Sequence, residues 1–281
     1  MGYTIFEETL ADMTFFEVEE AARNNAVVLF PIAVIEEHGP HMCLGTDVYL
    51  AYQCCIKIKK RLEKRNIKAV IVPPFYWGIN HCTAAFTGSF SSDKETMKNS
   101  LVGIMKDLNK WGFHKIFPIS VHLDYVHTQV ILKAVDEAYN KYGVGSYMVL
   151  PDFVLEHYGL SGAEEHIIVL KSEANNFKKQ DCIEVHAGGV ETSWMLLHYP
   201  DLVKSEIAEK LTATDITDKD MDIWYKGGEA VRTRIPNGYI GNPSKINFEE
   251  AISFENSMVN DYIKAILIAQ SRQQPEGIRS K

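Results

Sequence analysis

Short apolar runs alternate with longer amphipathic stretches along this chain. Runs of this length that are rich in β-branched and aromatic residues predict buried β-strands. They cover residues 26–32, 68–72, 115–121 and 146–150. Pro31 and Pro118 fall inside two of these runs, where proline indicates a strand end or a bulge.

The stretches between the apolar runs have the spacing of helices. Predicted helices cover residues 14–24, 47–66, 92–111, 125–142, 191–199 and 248–270. Thr14 with Glu17, and Ser92 with Glu95, have the spacing of a capping box at a helix start. Gly143 is placed to end the fourth helix. Residues 204–247 have no clear pattern.

The order of these elements predicts the fold class. Strands that alternate with helices form parallel sheets covered by helices on both faces. We therefore expect an α/β fold, a three-layer α/β/α sandwich with a mostly parallel central sheet. The chain contains no low-complexity tract, flexible linker or internal repeat, so we expect a single domain over residues 1–281.

Charge and composition exclude several classes of protein. The formal net charge of −8 argues against a nucleic-acid or anionic-membrane binder, which is normally basic. The longest charge-free apolar run, residues 26–35, is much shorter than the ~20 residues of a membrane span. The first residues are acidic, unlike a secretory signal. The number of cysteines is odd (5), which argues against a disulfide framework, and we expect a cytoplasmic protein.

Histidines and carboxylates cluster directly after three of the apolar runs. In parallel sheets, ligands bind beyond the carboxyl ends of the strands, so these residues should meet at one edge. The first run is followed by Glu36, His38, His41 and Asp47, the third by His122 and Asp124, and the short 182–183 run by Glu184, His186 and Glu191.

This combination of side chains favours a metal site. Imidazole nitrogens and carboxylate oxygens suit zinc, manganese, iron and nickel. Glu36 and His38 are two residues apart, as are His122 and Asp124, so in extended segments each pair shares one face. Taken singly, each residue is more often a loop histidine or a surface carboxylate than part of a site. As a set at predicted strand ends, they favour a metal-dependent hydrolase.

Several of these residues also resemble the creatininase (creatinine amidohydrolase) family. The family motif P-x-x-x-x-E-x-H-G-x-H, followed by T-D, is similar to residues 31–41 and 46–47. The motif H-A-G-x-x-E-T-S is matched by residues 186–193. Gly238 to Pro243 resembles a late G-x-x-G-x-P, and residues 86–89 resemble F-P-G-T with two changes.

The resemblance implies a dinuclear metal hydrolase that forms a homo-oligomer, with a hexamer favoured. Two divalent ions per chain (zinc, manganese or iron) would be held by Glu36, His38, Asp47, His122 and Glu191. Asp47 would bridge the two ions, and the hydroxide between them would attack the substrate carbonyl. His186 would be the general acid/base that protonates the leaving nitrogen.

The chain departs from the family pattern where substrate recognition is expected. At the third strand end most members have N-x-H-G-G-N, whereas this chain has residues 120–125, with Leu123 in place of the aromatic residue of creatininase itself. The family's Trp-Asp pair before the catalytic histidine has no match in residues 180–183. These changes point to a small polar substrate other than creatinine. The bond that we expect to be cleaved is a C–N bond of an amide, with a cyclic amide favoured. Alternatives are a formamide, the C–C bond of a cyclic polyol diketone, or a non-catalytic metal-binding oligomer.

Other residues near these motifs have open roles. Asp124 has three alternative roles: a catalytic proton donor, a metal ligand, or the N-cap of the helix that follows. His41, His81 and Leu123 are candidate substrate contacts. Glu37 is expected to face solvent.

Overall fold

Short parallel strands form the centre of the protein. The computed structural model describes residues 2–171 and 182–272. Its strands are β1 (Val27–Pro31), β2 (Ala69–Ile71), β3 (Ile116–Ile119), β4 (Met148–Pro151) and β5 (Ile167–Leu170). The first three form a sheet in the order β2-β1-β3, with Val28 opposite Val70 and Ile116. The parallel pair β4-β5 joins β3 through a bridge between Ile116 and Ser146.

Pro118 explains why the connection between β3 and β4 is so short. The N–H of Ile116 donates to the Gly145 carbonyl at 2.8 Å, and its own carbonyl accepts from Tyr147 at 2.9 Å. Two residues further along β3, the same edge carries Pro118, which has no N–H to continue this ladder. The irregularity expected at Pro118 is therefore an interruption of the hydrogen-bond ladder between β3 and β4. Pro31 is the last residue of β1, so it marks a strand end.

Helices cover both faces of the sheet. They are α1 (Phe15–Arg23), α2 (Thr46–Glu63), α3 (Lys94–Lys110), α4 (Tyr125–Tyr142), α5 (Gly189–His198), α6 (Ser205–Ala208), α7 (Asp218–Lys226), α8 (Glu229–Arg234) and α9 (Phe248–Gln270). Val27 and Leu29 belong to one hydrophobic core with residues of α2, α5 and α9. Val28 and Phe30 belong to a second core with residues of α3 and α4. Alternate residues of one strand thus face opposite cores, and the prediction of a three-layer α/β fold is confirmed.

Two of the predicted helix-end signals are present and one is not. The capping box of Thr14 and Glu17 is present at the start of α1, and Gly143 ends α4 with a φ of 66°. The predicted capping box of Ser92 is wrong, because Asp93 caps α3 and accepts from the Thr96 N–H at 3.0 Å. The Ser92 hydroxyl instead donates to the backbone carbonyl of Trp77.

The chain around His186 is also less regular than expected. Residues 182–185 are not part of a strand, so the prediction of a third strand end there is wrong. His186 is held instead by an antiparallel bridge to Ile240. Residues 180–181, part of the segment compared with the family's Trp-Asp pair, lie outside the described residues. In the unassigned 204–247 segment, α7 and α8 share a small core with Cys82 and Ile240.

No helix within residues 2–171 and 182–272 is long and apolar enough to cross a membrane.

Candidate metal centre

Separate parts of the chain bring acidic and imidazole groups together beyond β1 and β3. Glu36 and His38 lie in the segment after β1, and Asp47 lies in the first turn of α2. His122 lies between β3 and α4, and Glu191 lies in the first turn of α5. The strand ends and two helix starts therefore deliver these side chains to one place, as parallel topology requires.

Asp47 belongs to two groups of possible metal ligands. The first group is Glu36, Asp47 and His122, and the second is His38, Asp47 and Glu191. Its Oδ2 is 3.2 Å from Nδ1 of His122, and the same nitrogen is 3.0 Å from Oε2 of Glu36. Its Oδ1 is 3.6 Å from Nε2 of His38, which lies 3.8 Å from Oε1 of Glu191. Within each group, the possible ligand atoms lie within 4.8 Å of one another. One carboxylate thus faces both groups, as a bridging ligand must.

His186 stands at the edge of the same cluster. One of its ring nitrogens lies within 4.8 Å of ligand atoms of Glu36 and His38. Its ring centroid is 4.4 Å from that of His38. The geometry therefore allows His186 to be a ligand or to transfer protons beside the ligands.

Backbone carbonyls orient the two central imidazoles. Nδ1 of His38 lies 3.1 Å from the carbonyl oxygen of Glu36, and Nε2 of His122 lies 3.1 Å from that of Ile79. Because a carbonyl oxygen only accepts, these two nitrogens carry the hydrogens. The other nitrogens, Nε2 of His38 and Nδ1 of His122, face the carboxylates. Metal-binding histidines are commonly held in this way.

The facing atoms lack partners of their own. Oε2 of Glu36, Nε2 of His38 and Oδ2 of Asp47 are buried and make no hydrogen bond within the described chain. An unsatisfied buried polar atom costs about 1–3 kcal/mol. Lone pairs of imidazole and carboxylate that converge in this way need a cation or a proton between them. The donor set of nitrogen and oxygen therefore fits a divalent transition-metal ion.

The carboxylates make this region strongly attractive to positive charge. Burial lowers the pKa of His38, but the charge and hydrogen bond of Asp47, together with the charges of Glu191 and Glu36, outweigh burial and raise this pKa to about 10. Burial also lowers the pKa of His186, while the charge of Glu36 raises it, to about 9 overall. The pKa of Asp47 lies well below its usual value, because His38 and His122 outweigh its burial. A metal ion entering the site would displace protons.

Asp124 has the geometry of a helix cap. Its Oδ1 accepts from the backbone N–H groups of Val126 at 2.8 Å and His127 at 3.2 Å at the start of α4. Its Oδ2 accepts from the N–H groups of His81 at 2.8 Å and Cys82 at 3.0 Å. Both oxygens are thus engaged, and Asp124 is absent from the ligand groups found among the described residues. Of the three alternatives, the cap is the one with direct contacts; the catalytic prediction for Asp124 has none.

The three candidate substrate contacts have different surroundings. His41 is buried, with Nε2 2.9 Å from Oγ1 of Thr192, and its pKa falls to about 4 because of burial and the nearby His38 and His186. His81 is partly buried and contacts Asp124 through its backbone. The Leu123 side chain is 78% exposed. His41 therefore has a structural partner, whereas Leu123 is open to solvent.

Glu37 was not expected among the buried residues, and the prediction that it faces solvent is wrong. It is 7% exposed, and its Oε1 lies 3.4 Å from Nε2 of His186. Residues 32–38 are loop rather than strand after the single bridge at Ile32, so strict alternation of faces does not apply to them. No local sequence signal indicated this contact, because His186 lies far away along the chain.

Two further side chains support the cluster. The Thr83 hydroxyl donates to Oε1 of Glu36, which leaves Oε2 facing His122. The Trp224 ring lies 5.4 Å from the ring of His186, and Trp224 is almost fully buried. Both residues come from segments without a recognised motif, so only spatial proximity identifies them.

Comparisons with known proteins agree with the motifs. A family model described as creatinine amidohydrolase, Creatininase, matches residues 11–266. The curated creatinine amidohydrolase of Pseudomonas putida is 26% identical over 204 residues, which cover 69% of this chain and 73% of that protein.

Solved creatininase structures share the fold. A structure described as creatininase with Mn has a TM-score of 0.68 at 21% identity and covers 94% of this chain and 99% of its own. A mutant creatininase of Zn–Zn type has a TM-score of 0.69 at 20% identity and covers 96% of this chain and 100% of its own. At this level of identity, the likeness concerns the fold.

Proposed function

Because the chain belongs to the creatininase family of metal-dependent amidohydrolases, we propose that it is a dinuclear hydrolase of a small polar substrate. The bond that we propose is cleaved is a C–N bond of an amide, with a cyclic amide favoured. The observation that carries this proposal is the position of Asp47, with one oxygen toward His122 and the other toward His38. A single metal ion would not require a carboxylate shared between two ligand groups.

Five residues would hold the ions. Glu36, Asp47 and His122 form one ligand group, and His38, Asp47 and Glu191 form the other. When bound, two divalent ions would lower the pKa of water and polarise a substrate carbonyl. Zinc, manganese and iron all suit these donors. The named relatives with Mn and with Zn–Zn support the first two.

His186 would be the general acid/base. Its Nε2 lies 2.8 Å from the carbonyl oxygen of Glu37, so this nitrogen carries a hydrogen. A histidine beside the ligands can accept a proton during attack and deliver it to the departing nitrogen. Its place near Glu36 and His38 also suits a ligand, and metal analysis of a His186 variant separates the two roles.

We propose that the substrate is not a planar ring that stacks on an aromatic side chain. Leu123 is exposed and apolar, and it offers no aromatic face on which a planar ring such as creatinine could stack. This observation keeps a second substrate class open, namely a formamide or a cyclic polyol diketone cleaved at a C–C bond. A non-catalytic metal-binding oligomer is the remaining alternative.

We also propose that residues 1–281 act as one creatininase-like domain that assembles into a homo-oligomer, with a hexamer favoured. The family match over residues 11–266 supports a single domain. Size-exclusion chromatography with light scattering would measure the assembly, and a monomer under all conditions would contradict this part of the proposal.

The test of function combines metal content with turnover. The protein is purified, stripped, and reloaded separately with Zn²⁺, Mn²⁺ and Fe²⁺, and bound metal is counted by mass spectrometry. Each form is then tested with creatinine and other cyclic amides, with N-formyl compounds and with cyclic diketones. We expect two ions per chain and hydrolysis of a cyclic amide. Two ions with no turnover of any class would favour the non-catalytic alternative, and fewer than one ion would reject the dinuclear site.

A further inference from the structure

The side chain of Glu37 is directed at His186 from within the protein. Glu37 is 7% exposed, and its carboxylate and backbone carbonyl both approach the same ring nitrogen. Nε2 of His186 is 2.8 Å from the Glu37 carbonyl oxygen and 3.4 Å from Oε1. Two acceptors thus converge on one nitrogen of the ring.

This contact decides which nitrogen of His186 holds its hydrogen. Neither a carbonyl oxygen nor an ionised carboxylate can donate, so Nε2 must be the donor. In the neutral ring, Nδ1 then has the free lone pair. An imidazole that exchanges protons during a reaction has to keep one defined tautomer and orientation, and a hydrogen-bonded carboxylate is a common means of doing so.

The carboxylate of Glu37 is itself held in place. Its Oε2 accepts from the backbone N–H of Gly39 at 3.0 Å. Gly238, with a φ of +68°, packs against it so closely that an added Cβ would lie 2.0 Å from Oε2. The other oxygen, Oε1, makes no hydrogen bond within the described chain and faces His186. An anchor for the loop would need only Oε2, so the position of Oε1 calls for another explanation.

The rest of the His186 ring is enclosed on other sides. The ring of Trp224 lies 5.4 Å from it, and the ring of His38 lies 4.4 Å from it. These rings limit how far the imidazole can tilt. The direct hydrogen bond to the imidazole comes from Glu37, at Nε2.

From these contacts we infer that Glu37 is the positioning residue of His186, holding the Nε2–H so that Nδ1 remains the nitrogen that exchanges protons. The inference rests on the proposed role of His186 as general acid/base. Glu37 need not contact the substrate, since it acts through the imidazole.

Glu37→Gln is a discriminating variant because its amide has only one oxygen. If that oxygen accepts from Gly39, the NH₂ group faces the Nε2–H of His186, and two donors oppose each other. Gly238→Ala should push the Glu37 carboxylate out of place while the residue itself is unchanged, since an added Cβ would lie 2.0 Å from Oε2 and 2.8 Å from Oε1. Glu255→Gln is the control, because it removes another buried carboxylate, one paired with Lys57 and His198.

The experiment uses the full chain loaded with Zn²⁺. Bound zinc is counted, the tautomer of His186 is read from ¹⁵N chemical shifts of labelled histidines, and kcat and KM are measured on the best substrate found. A His186→Ala sample assigns the His186 signals.

We expect the wild type and Glu255→Gln to show His186 with its hydrogen on Nε2. Glu37→Gln and Gly238→Ala should keep their zinc but shift the ¹⁵N signals of His186, because only the backbone carbonyl of Glu37 then faces the Nε2–H. Their kcat should fall about 10- to 100-fold with little change in KM, the usual effect of removing a partner that orients a functional histidine. Unchanged ¹⁵N shifts in both zinc-loaded variants would overturn the inference. The shifts need no substrate, so a failure to find hydrolysis would count against the proposed function and leave this test intact.

Discussion

Oδ2 of Asp47 lies 3.2 Å from Nδ1 of His122, although Asp47 lies in the first turn of α2 and His122 follows β3. The pair is buried, and the Nε2–H of His122 is engaged by the carbonyl of Ile79. The Nδ1 lone pair is therefore turned toward a carboxylate. This relationship has a simple physical explanation if a cation lies between the two atoms, and it makes Asp47 the first residue to change.

Asp47→Ala should abolish binding of both metal ions and all turnover, because one side chain serves both ligand groups. Metal counting after reloading with Zn²⁺ checks this expectation. Asp107→Ala, at an exposed position of α3, is the matched control and should bind two ions. Retention of one tightly bound ion by Asp47→Ala would show that the two groups bind independently.

His186→Ala should retain its metal ions but lose turnover by about 10²- to 10⁴-fold, the usual contribution of a general acid/base. The measurement pairs metal counting with steady-state kinetics on the same sample. Loss of metal by this variant would instead assign His186 to the ligands, as its proximity to Glu36 and His38 allows.

Removal of the metal should destabilise the fold. The protein without metal retains converging buried lone pairs at Glu36, His38 and Asp47. When the free metal concentration is 100 times the dissociation constant, binding of one ion to the folded state adds about 2.7 kcal/mol to the free energy of unfolding. Urea denaturation with and without a chelator measures the difference. Asp47→Ala is the control, since a chelator should leave its unfolding midpoint unchanged.

Asp124→Ala should lower stability more than Asp93→Ala. Both aspartates cap a helix, and loss of such a cap costs about 0.5–2 kcal/mol. Asp124 also accepts hydrogen bonds from the backbone N–H groups of His81 and Cys82, so its loss leaves these two N–H groups without that acceptor. Urea denaturation of the two variants compares the costs. Equal costs would show that the second pair of hydrogen bonds contributes little, and a greatly reduced kcat with unchanged stability would revive the catalytic role of Asp124.

Stability at acid pH should depend on Glu255. Burial raises the pKa of this carboxyl, but hydrogen bonds from His198 and Lys57 outweigh burial and lower it overall. A lowered pKa in the folded state means that the ionised form stabilises the fold above the unfolded pKa of about 4.3. That contribution is lost as pH falls through the folded pKa.

Glu255→Gln should therefore reduce stability at neutral pH and flatten its decline between neutral and acid pH. Thermal melts over this pH range measure both effects. Glu249→Gln, at an exposed position of the same helix, should follow the wild type. A parallel shift of the whole profile in Glu255→Gln would show that the charge of Glu255 is not the cause.

The sequence alone was enough for the layers of the fold and for the approximate extents of β1–β4 and of the longer helices, but it did not predict β5 or α6–α8. Strand and helix periods depend on nearest neighbours along the chain, and α9 has the bounds that were predicted. Local capping was less certain at α3, where Ser92 and Asp93 are adjacent and the carboxylate takes the capping position. The strand expected before His186 was wrong, because that residue is fixed by a bridge to Ile240, a distant partner.

For the candidate site, the sequence by itself determined the residue types and the strand ends from which they come, because topology sends both strand ends to one edge. It could not determine how atoms pair across the chain. Only the tertiary structure decided that Asp47 turns one oxygen to each ligand group, that Asp124 also accepts from the backbone of His81 and Cys82, and that Glu37 turns inward to His186. These are contacts between residues far apart in the sequence, and packing, rather than local preference, sets their distances.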